Sequence, residues 1–297
     1  MQKRLVSIVV NCFNGEKYLQ KTLNSILNQK FKNFEVIFVD NCSTDSSSRI
    51  FKKIKDRRFY YYKTTKKLSL YASRNLALKK AKGKFIAFLD SDDWWNSNYL
   101  SLRKKFFKSS KSYGFSYSNC FHYFQNLDKF KTFYNHKMPS GFILDNLLKY
   151  YFIKISSVII KKDILKNYKF NSEYNIIGDY DLILRIAEKF KGMAFQKKFL
   201  NIRIHRDNFT HNNRGMFYKE FLYWIKKQNF NKKIYKQNKD NLFHRLEYLR
   251  LIHLLYNKKN LALIIDILRY PYFKLKLKLI LIYIMPRFIL KFKHRYS

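Results

Sequence analysis

Lys84-Phe-Ile-Ala-Phe-Leu-Asp-Ser-Asp-Asp93 reads as a buried strand, Lys84 to Leu89, that stops abruptly at three carboxylates. An apolar run without alternation suits a strand covered on both faces. Two earlier runs have the same shape. Leu5-Val-Ser-Ile-Val-Val10 leads into the loop Asn11-Cys-Phe-Asn-Gly15, and Glu35-Val-Ile-Phe-Val-Asp40 into the turn Asn41-Cys-Ser-Thr-Asp45. Helical patterns separate them. Glu16 to Lys30 puts Leu19, Leu23, Ile26 and Leu27 on one face; a second helix runs from the 41–45 turn through Ile54; Tyr71 to Lys82 is a third, stopped by Gly83. Phe59 to Tyr62 is a short strand. Strands alternating with helices predict an α/β fold with a mostly parallel sheet flanked by helices. Ligands of such sheets dock outside the carboxyl ends of the strands, so the residues after Val10, Val39 and Leu89 become candidates.

From 113 to 210 the pattern loosens, with a strand expected at Ile155 to Ile160 and a helix at Tyr180 to Phe190. After about 211 acids thin out and helical patterns dominate. The expected organisation is therefore an α/β domain over 1–210, in halves 1–112 and 113–210, then a basic, mainly helical extension over 211–297. The chain has 297 residues, 47% of them hydrophobic. That fraction excludes a disordered polycation, because burial can offset the ordering entropy. Three widely spaced cysteines, Cys12, Cys42 and Cys120, form neither a disulfide scaffold nor a metal-type pair and suggest reduced thiols in a cytoplasmic setting. No signal-peptide core is visible, and the longest clean apolar run near the C-terminus, Leu279 to Met285, is far below the roughly 18 residues that span a bilayer. A soluble or peripheral protein is expected.

The charge is extreme: 61 Lys+Arg against 20 Asp+Glu, or +41. It calls for an anionic counterpart such as nucleic acid, a membrane surface or a phosphorylated ligand. AT-rich coding would give the same Lys bias without any partner. Against so few acids, Asp90, Asp92 and Asp93 stand out. Carboxylates this close repel unless a cation holds them, and Asp-x-Asp after a strand suits Mn²⁺ or Mg²⁺. Capping and turn formation are the alternative uses.

Four ordered blocks carry a family resemblance: Ser7-Ile-Val-Val-Asn-Cys-Phe-Asn-Gly15, Val36-Ile-Phe-Val-Asp-Asn-Cys-Ser-Thr-Asp45, Ala72-Ser-Arg-Asn-Leu-Ala-Leu78 and Phe88-Leu-Asp-Ser-Asp-Asp93. Two more follow, Ile155-Ser-Ser-Val-Ile-Ile160 with Ile177-Gly-Asp-Tyr-Asp-Leu-Ile-Leu-Arg185, and Arg203-Ile-His-Arg-Asp-Asn-Phe-Thr210. In order and spacing the set resembles the family 2 glycosyltransferases, which have the GT-A fold and use nucleotide-sugar donors. The resemblance implies an inverting, metal-dependent transfer of a sugar to a hydroxyl of a cell-surface polysaccharide or lipid-linked glycan.

It also implies roles for residues. Asn11 and Phe13 of the first loop, with Asp40 and Asn41, would hold the nucleoside. Arg74, Ser91 and Arg206 would contact the rest of the nucleotide-sugar, the two arginines at the diphosphate. Asp92 would be the main metal ligand, helped by Asp90 and His205. Asp179 would be the catalytic base, and Asp93 a helix cap. The family commonly has a second Asp and a Gly where this chain has Asn41 and Cys42, so a UDP-sugar is only a lean. It commonly has Glu-Asp where this chain has Gly178-Asp179.

Trp94 and Trp95 could stack on a sugar, with packing the expected use of at least one. Arg57-Arg-Phe-Tyr-Tyr-Tyr-Lys63 has the composition of a single-strand nucleic-acid platform but falls where a third strand is due, so it reads mostly as core with a basic edge. The tail from Tyr270 interleaves Lys274, Lys276, Lys278, Arg287, Lys291, Lys293 and Arg295 with apolar residues. It allows a helix or a strand, lying on an anionic membrane or packed on the protein. The net charge is +17 over 1–112, +8 over 113–210 and +16 beyond. That distribution favours an enzyme at the inner face of a membrane over a nucleic-acid binder. A degenerate transferase kept as a scaffold is opposed by the intact Asp92 and Asp179.

Overall fold

The computed structural model describes residues 5–109, 111–257 and 261–285. Arg287, Lys291, Lys293 and Arg295 of the basic tail lie outside the described residues. The strands, in chain order, are β1 (Val6–Cys12), β2 (Phe34–Asp40), β3 (Phe59–Lys63), β4 (Phe85–Phe88), β5 (Trp94–Trp95), β6 (Phe115–Ser118), β7 (Phe121–Phe124), β8 (Lys129–Thr132), β9 (Ile159–Lys161), β10 (Gly192–Phe195) and β11 (Leu200–Ile204). Seven form the main sheet in the order β10-β6-β9-β4-β1-β2-β3; the other four form a small sheet ordered β5-β11-β7-β8. The β1–β2, β1–β4, β2–β3 and β6–β10 pairs are parallel, and only β9 runs against its neighbours β4 and β6. Cys12 lies beside Asp40 in the register, and Val9 beside Phe88, so the loops after β1, β2 and β4 open at one sheet edge.

The first eight helices are α1 (Glu16–Leu27), α2 (Ser47–Lys52), α3 (Leu70–Lys80), α4 (Tyr99–Leu102), α5 (Lys104–Lys108), α6 (Leu144–Lys149), α7 (Lys162–Asn167) and α8 (Gly178–Ala187). α1 buries Leu19, Leu23 and Ile26 against Val6, Ile8, Phe34 and Phe38 of the sheet, as its spacing predicts. It ends at Leu27, short of the expected Lys30, because the Lys30 N–H leaves the helix ladder for the Ser97 carbonyl at 2.9 Å. α2 is short because the Ile54 N–H turns back to the Phe51 carbonyl. α3 starts on Ser69, whose hydroxyl accepts from the Ala72 N–H at 3.2 Å. Buried Glu35 then fixes the turn into β4, its Oε1 accepting from Ser7 Oγ, Lys82 N and Gly83 N. A Cβ on Gly83 would sit 2.5 Å from Ser7 N, so only glycine fits there.

The expected strand Ile155–Ile160 is half wrong. Residues Ile155–Ser157 form a 3-10 turn, and β9 starts only at Ile159. The turn directs carbonyls inward: that of Ser156 accepts from Trp95 Nε1 at 2.9 Å, and that of Ser157 from the buried Arg103 guanidinium at 3.0 Å. α8 begins at Gly178 and ends at Ala187, earlier at both ends than expected. Within the Arg57–Lys63 stretch, Phe59–Lys63 form the strand expected there, edge strand β3, but none of its residues is buried; Phe59 and Tyr61 pack partly buried against the core, so the expectation of mostly core is corrected to a half-exposed edge.

By its internal contacts the chain divides into two compact units. One runs through Arg203, less 124–128 and 148–150, and the other comprises those pieces and everything from Ile204. The second unit holds α9 (Phe209–Asn212), α10 (Arg214–Lys226), α11 (Lys233–Gln237), α12 (Lys239–Asn257), α13 (Leu261–Arg269) and α14 (Phe273–Ile284). Leu251 and Leu255 of α12, Leu263 and Ile267 of α13, and Leu279 and Ile282 of α14 share one core. Arg250 ties α12 to α13 through Glu247 at 2.7 Å and Asp266 at 2.6 Å. The tail alternation at 274–279 resolves as helix, because Leu279 and Ile282 are one helical turn apart and both buried. Among the described residues no helix is long and apolar enough to cross a membrane.

Candidate active site

The acid cluster divides by function of place. Asp93 is buried, and both its oxygens are used inside the protein: Oδ2 accepts from Ser156 Oγ at 2.8 Å and Oδ1 from the Arg203 N–H at 3.1 Å. It caps no helix, contrary to expectation, since α4 begins only at Tyr99. Instead it fastens the loop after β4 to the 155–157 turn and to β11. Burial, then the nearby charges of Asp92 and Asp90, hold its carboxyl well above the usual carboxylate range. Asp90 and Asp92 are only partly buried. The Asp90 side chain is 39% exposed while its partner, the Arg74 guanidinium, is 4% exposed and hydrogen-bonded to Asp90 Oδ1. Asp90 is raised by lost hydration, an effect Arg74 opposes and Asp92 reinforces.

Arg74 is therefore neither a surface ion pair nor an open phosphate contact; it holds Asp90 from beneath. Its guanidinium lies 5.4 Å from the centroid of the Tyr71 ring and 5.6 Å from that of Phe170. The Tyr71 hydroxyl in turn lies 2.7 Å from the Ile176 carbonyl and 3.3 Å from Asp179 Oδ1. Burial, and then the Asp179 charge, push the Tyr71 phenol well above its ordinary value, so it stays protonated and donates. Asp179, in the first turn of α8, also accepts from the Tyr180 N–H at 2.8 Å. Thus Asp179, Tyr71, Arg74 and Asp90 form one connected group with Asp92 beside it. Asp181 takes no part: it holds Arg185 at 2.8 Å.

Gly178 has a steric reason. A Cβ there would sit 2.5–2.7 Å from ring carbons of Tyr71, and that ring is pinned by stacking on Phe170 at 5.3 Å between centroids. The ring fills the room a side chain at 178 would need. Gly178→Ala is therefore expected to cost about 1–3 kcal/mol in chemical denaturation, from overpacking against an immobile ring. A change below roughly 0.5 kcal/mol would show that the ring can move aside.

The loops after β1 and β2 are stitched together. Asn14 Oδ1 accepts from the Thr44 N–H, Gly15 N–H donates to Ser47 Oγ, Glu16 N–H donates to Asp45 Oδ2, and Ser46 N–H to Glu16 Oε2, all between 2.8 and 2.9 Å. Within this frame Asp40 and Asn41 correct the expectation that their side chains face a ligand. Asp40 is fully buried, with Oδ1 accepting from the Ser43 N–H at 2.8 Å and Oδ2 from Tyr61 at 2.6 Å. Burial, and then this pairing with Asp40, push the Tyr61 phenol up to about 12. The Asn41 amide makes a two-way clamp on Leu68, accepting from its N–H and donating to its carbonyl, each at 2.9 Å. Cys42 takes the left-handed φ of 61° that a glycine would adopt freely.

Asn11 donates to Ser73 Oγ at 2.6 Å. Phe13 is 42% exposed, with Lys67 Nζ 3.7 Å from its ring centroid. Ser91 is half-buried, its carbonyl accepting from Thr22. Trp95 is buried and stacks on Tyr99 at 4.1 Å, the packing use expected of one tryptophan. Trp94 carries Lys21 Nζ at 3.8 Å and the Arg203 guanidinium at 4.8 Å from its centroid. His205 and Arg206 belong to the second unit. There His205 Nδ1 accepts from the Asp207 N–H at 3.2 Å, and the exposed Arg206 lies 3.8 Å from Asp207. Tyr71, Ser156 and Arg203 are the functional supports that residue-type reasoning passes over, although each sits in or beside a block quoted above.

Asp90 and Asp92 supply hard oxygens at the end of β4. Among the described residues no group of three or more His, Cys, Asp or Glu forms a metal cage. Two carboxylates completed by diphosphate oxygens are a donor set that Mg²⁺ or Mn²⁺ accepts, so the residues present fit an ion that arrives with its substrate.

A mostly parallel sheet flanked by helices, with carboxylates gathered after β4, is the architecture of the GT-A transferases. The chain belongs to glycosyl transferase family 2, whose sequence model matches residues 7–188. It is an enzyme, a glycosyltransferase. It is 38% identical over 185 residues to the UDP-Glc:alpha-D-GlcNAc-diphosphoundecaprenol beta-1,3-glucosyltransferase WfaP of Escherichia coli, covering 62% of this chain and 71% of that one. Two solved structures share the fold. TarS 1–349 of S. aureus in complex with UDP gives a TM-score of 0.62 at 20% identity, covering 87% of this chain and 76% of that chain. The mannosyltransferase PcManGT of Pyrobaculum calidifontis, in complex with GDP-Man and Mn²⁺, gives 0.60 at 14% identity, covering 99% and 85%.

Proposed function

We propose that the protein is an inverting, divalent-metal-dependent glycosyltransferase that moves a sugar from a UDP-sugar to a hydroxyl of a lipid-linked glycan at the inner face of the cytoplasmic membrane. The connected group Asp179–Tyr71–Arg74–Asp90 carries this reading, because it sets a candidate base beside a candidate diphosphate site. Asp179 takes the proton of the acceptor hydroxyl, which is a poor nucleophile until then. The oxygen attacks the anomeric carbon from the side opposite the leaving diphosphate, and configuration inverts. Tyr71 donates to Asp179 and fixes the direction of its carboxylate. Asp90 and Asp92 would hold the ion, Asp90 kept in place by Arg74. When bound, Mn²⁺ or Mg²⁺ stabilises the charge developing on the leaving diphosphate.

Phe13 offers an exposed ring for stacking on the base, and Asn11 and Ser91 line the same sheet edge. Asp40 and Asn41 act through the loops they hold. His205 as a further ligand and Arg206 as a diphosphate contact rest on their sequence block alone. The lipid-linked acceptor and the UDP-sugar are supported by the name of the E. coli relative, which has both.

The test is a thermal-shift series. UDP with Mn²⁺ is expected to raise the melting temperature, and chelation to remove most of the rise, since a ligand of the native state stabilises in proportion to its saturation. An equal rise with and without the ion would overturn the metal claim. A larger shift with RNA than with any nucleotide would favour the nucleic-acid alternative.

A further inference from the structure

α14 buries Leu279 and Ile282 in the core of the second unit but turns a second apolar stripe outward. Phe273, Leu277, Leu281 and Ile284 recur at the spacing of one helical face, and all four are exposed. Lys274 and Lys278 border this stripe and are exposed as well. α13 repeats the arrangement with Leu261, Ile265 and Leu268 facing away from the shared core. These seven side chains are between 44% and 79% exposed. Large apolar residues concentrated on two neighbouring helices are not the scattered singles of an ordinary surface.

Charge identifies the occupant. Asp266 is the last acid of the chain, and it is already paired with Arg250. The 31 residues after it contain eight Lys and Arg and no acid. A second copy of this surface would bring lysines against lysines. A nucleic acid would satisfy the lysines and leave seven apolar side chains in water. An anionic bilayer satisfies both, taking the apolar stripe among its acyl chains and the lysines among its headgroup phosphates.

We infer that the outward faces of α13 and α14 are a docking surface for an anionic lipid bilayer. The inference deepens the proposed function, since a lipid-linked acceptor would be met at that surface, but its geometry does not depend on the catalytic assignments. The test is flotation of the full-length protein with phosphatidylcholine vesicles containing about one-third phosphatidylglycerol, and with phosphatidylcholine alone. Binding is expected to be about tenfold stronger to the anionic vesicles and to weaken with salt. Leu277→Glu with Leu281→Glu changes two exposed positions, so the fold should persist. It is expected to reduce vesicle binding at least about tenfold. Lys274→Glu with Lys278→Glu should remove the preference for anionic lipid.

No vesicle binding, or binding unaltered by either pair, overturns the inference. So does self-association that Leu277→Glu with Leu281→Glu abolishes while vesicles are ignored, which would mark the face as an interface between copies. Transfer to a water-soluble acceptor separates the two readings. If transfer persists without vesicle binding, only the docking surface is wrong; if vesicles bind without any transfer, the catalytic reading is wrong.

Discussion

Asp179→Asn is expected to lower kcat by about 10²–10⁴-fold while leaving the melting temperature and donor binding nearly unchanged. The asparagine is isosteric. Its carbonyl oxygen can still accept from the Tyr180 N–H and the Tyr71 hydroxyl, the two donors that hold Asp179 Oδ1. What disappears is basicity. Steady-state kinetics with saturating donor read this directly: a fall confined to kcat supports a base that acts after binding. Full activity in a folded Asp179→Asn enzyme would move proton abstraction to another residue. Tyr71→Phe gives a graded companion, because it keeps the ring and removes the hydroxyl that bonds the Ile176 carbonyl at 2.7 Å and Asp179 Oδ1 at 3.3 Å.

The second large effect is a contrast between adjacent acids. Asp92→Asn is expected to cost about a hundredfold or more in transfer and to weaken the stabilisation by Mn²⁺, with little change in the unliganded fold. Asp93→Ala is expected to do the reverse and unfold the protein more easily by roughly 2–5 kcal/mol, because it orphans two buried donors, Ser156 Oγ and the Arg203 N–H. Chemical denaturation and a transfer assay on both variants check the pair. Equal stability losses would mean that Asp92 is also part of the scaffold.

The sequence carried the fold through β1, β2 and β4, because strands buried on both faces leave continuous apolar runs that few other arrangements produce. It carried the small sheet poorly. β5, β7 and β8 are two to four residues long, too short for any periodicity to register. The 3-10 turn at Ile155–Ser157 was hidden because its residues are as apolar as a strand and differ only in where their carbonyls point. Candidate site residues stood out where motif and strand end coincide, as at Asp90 and Asp92, and where a motif opens a helix, as at Asp179. Asp40 and Asn41 were legible as positions but not as partners: whether the carboxylate meets a ligand or Tyr61 depends on a strand 21 residues further on, and whether the amide meets a ligand or Leu68 on a loop 27 residues further on. Arg74 shows the same limit, since its pairing with Asp90 needs α3, packed on β1 and β2, to reach the loop after β4.

The ring of Tyr71 in the space beside Gly178 also constrains how this sequence could change over time. With the tyrosine in place, every non-glycine residue at 178 starts with a collision, whatever chemistry its side chain might add. A carboxylate at 178 could be acquired only after position 71 had become smaller, and that first step removes a hydrogen bond to Asp179. The two positions are therefore epistatic, and the favourable order of replacement runs one way. A combined Tyr71→Ala and Gly178→Glu protein should be less unstable than the sum of its single changes, with a coupling energy in the range of about 0.5–3 kcal/mol that contacting residues show.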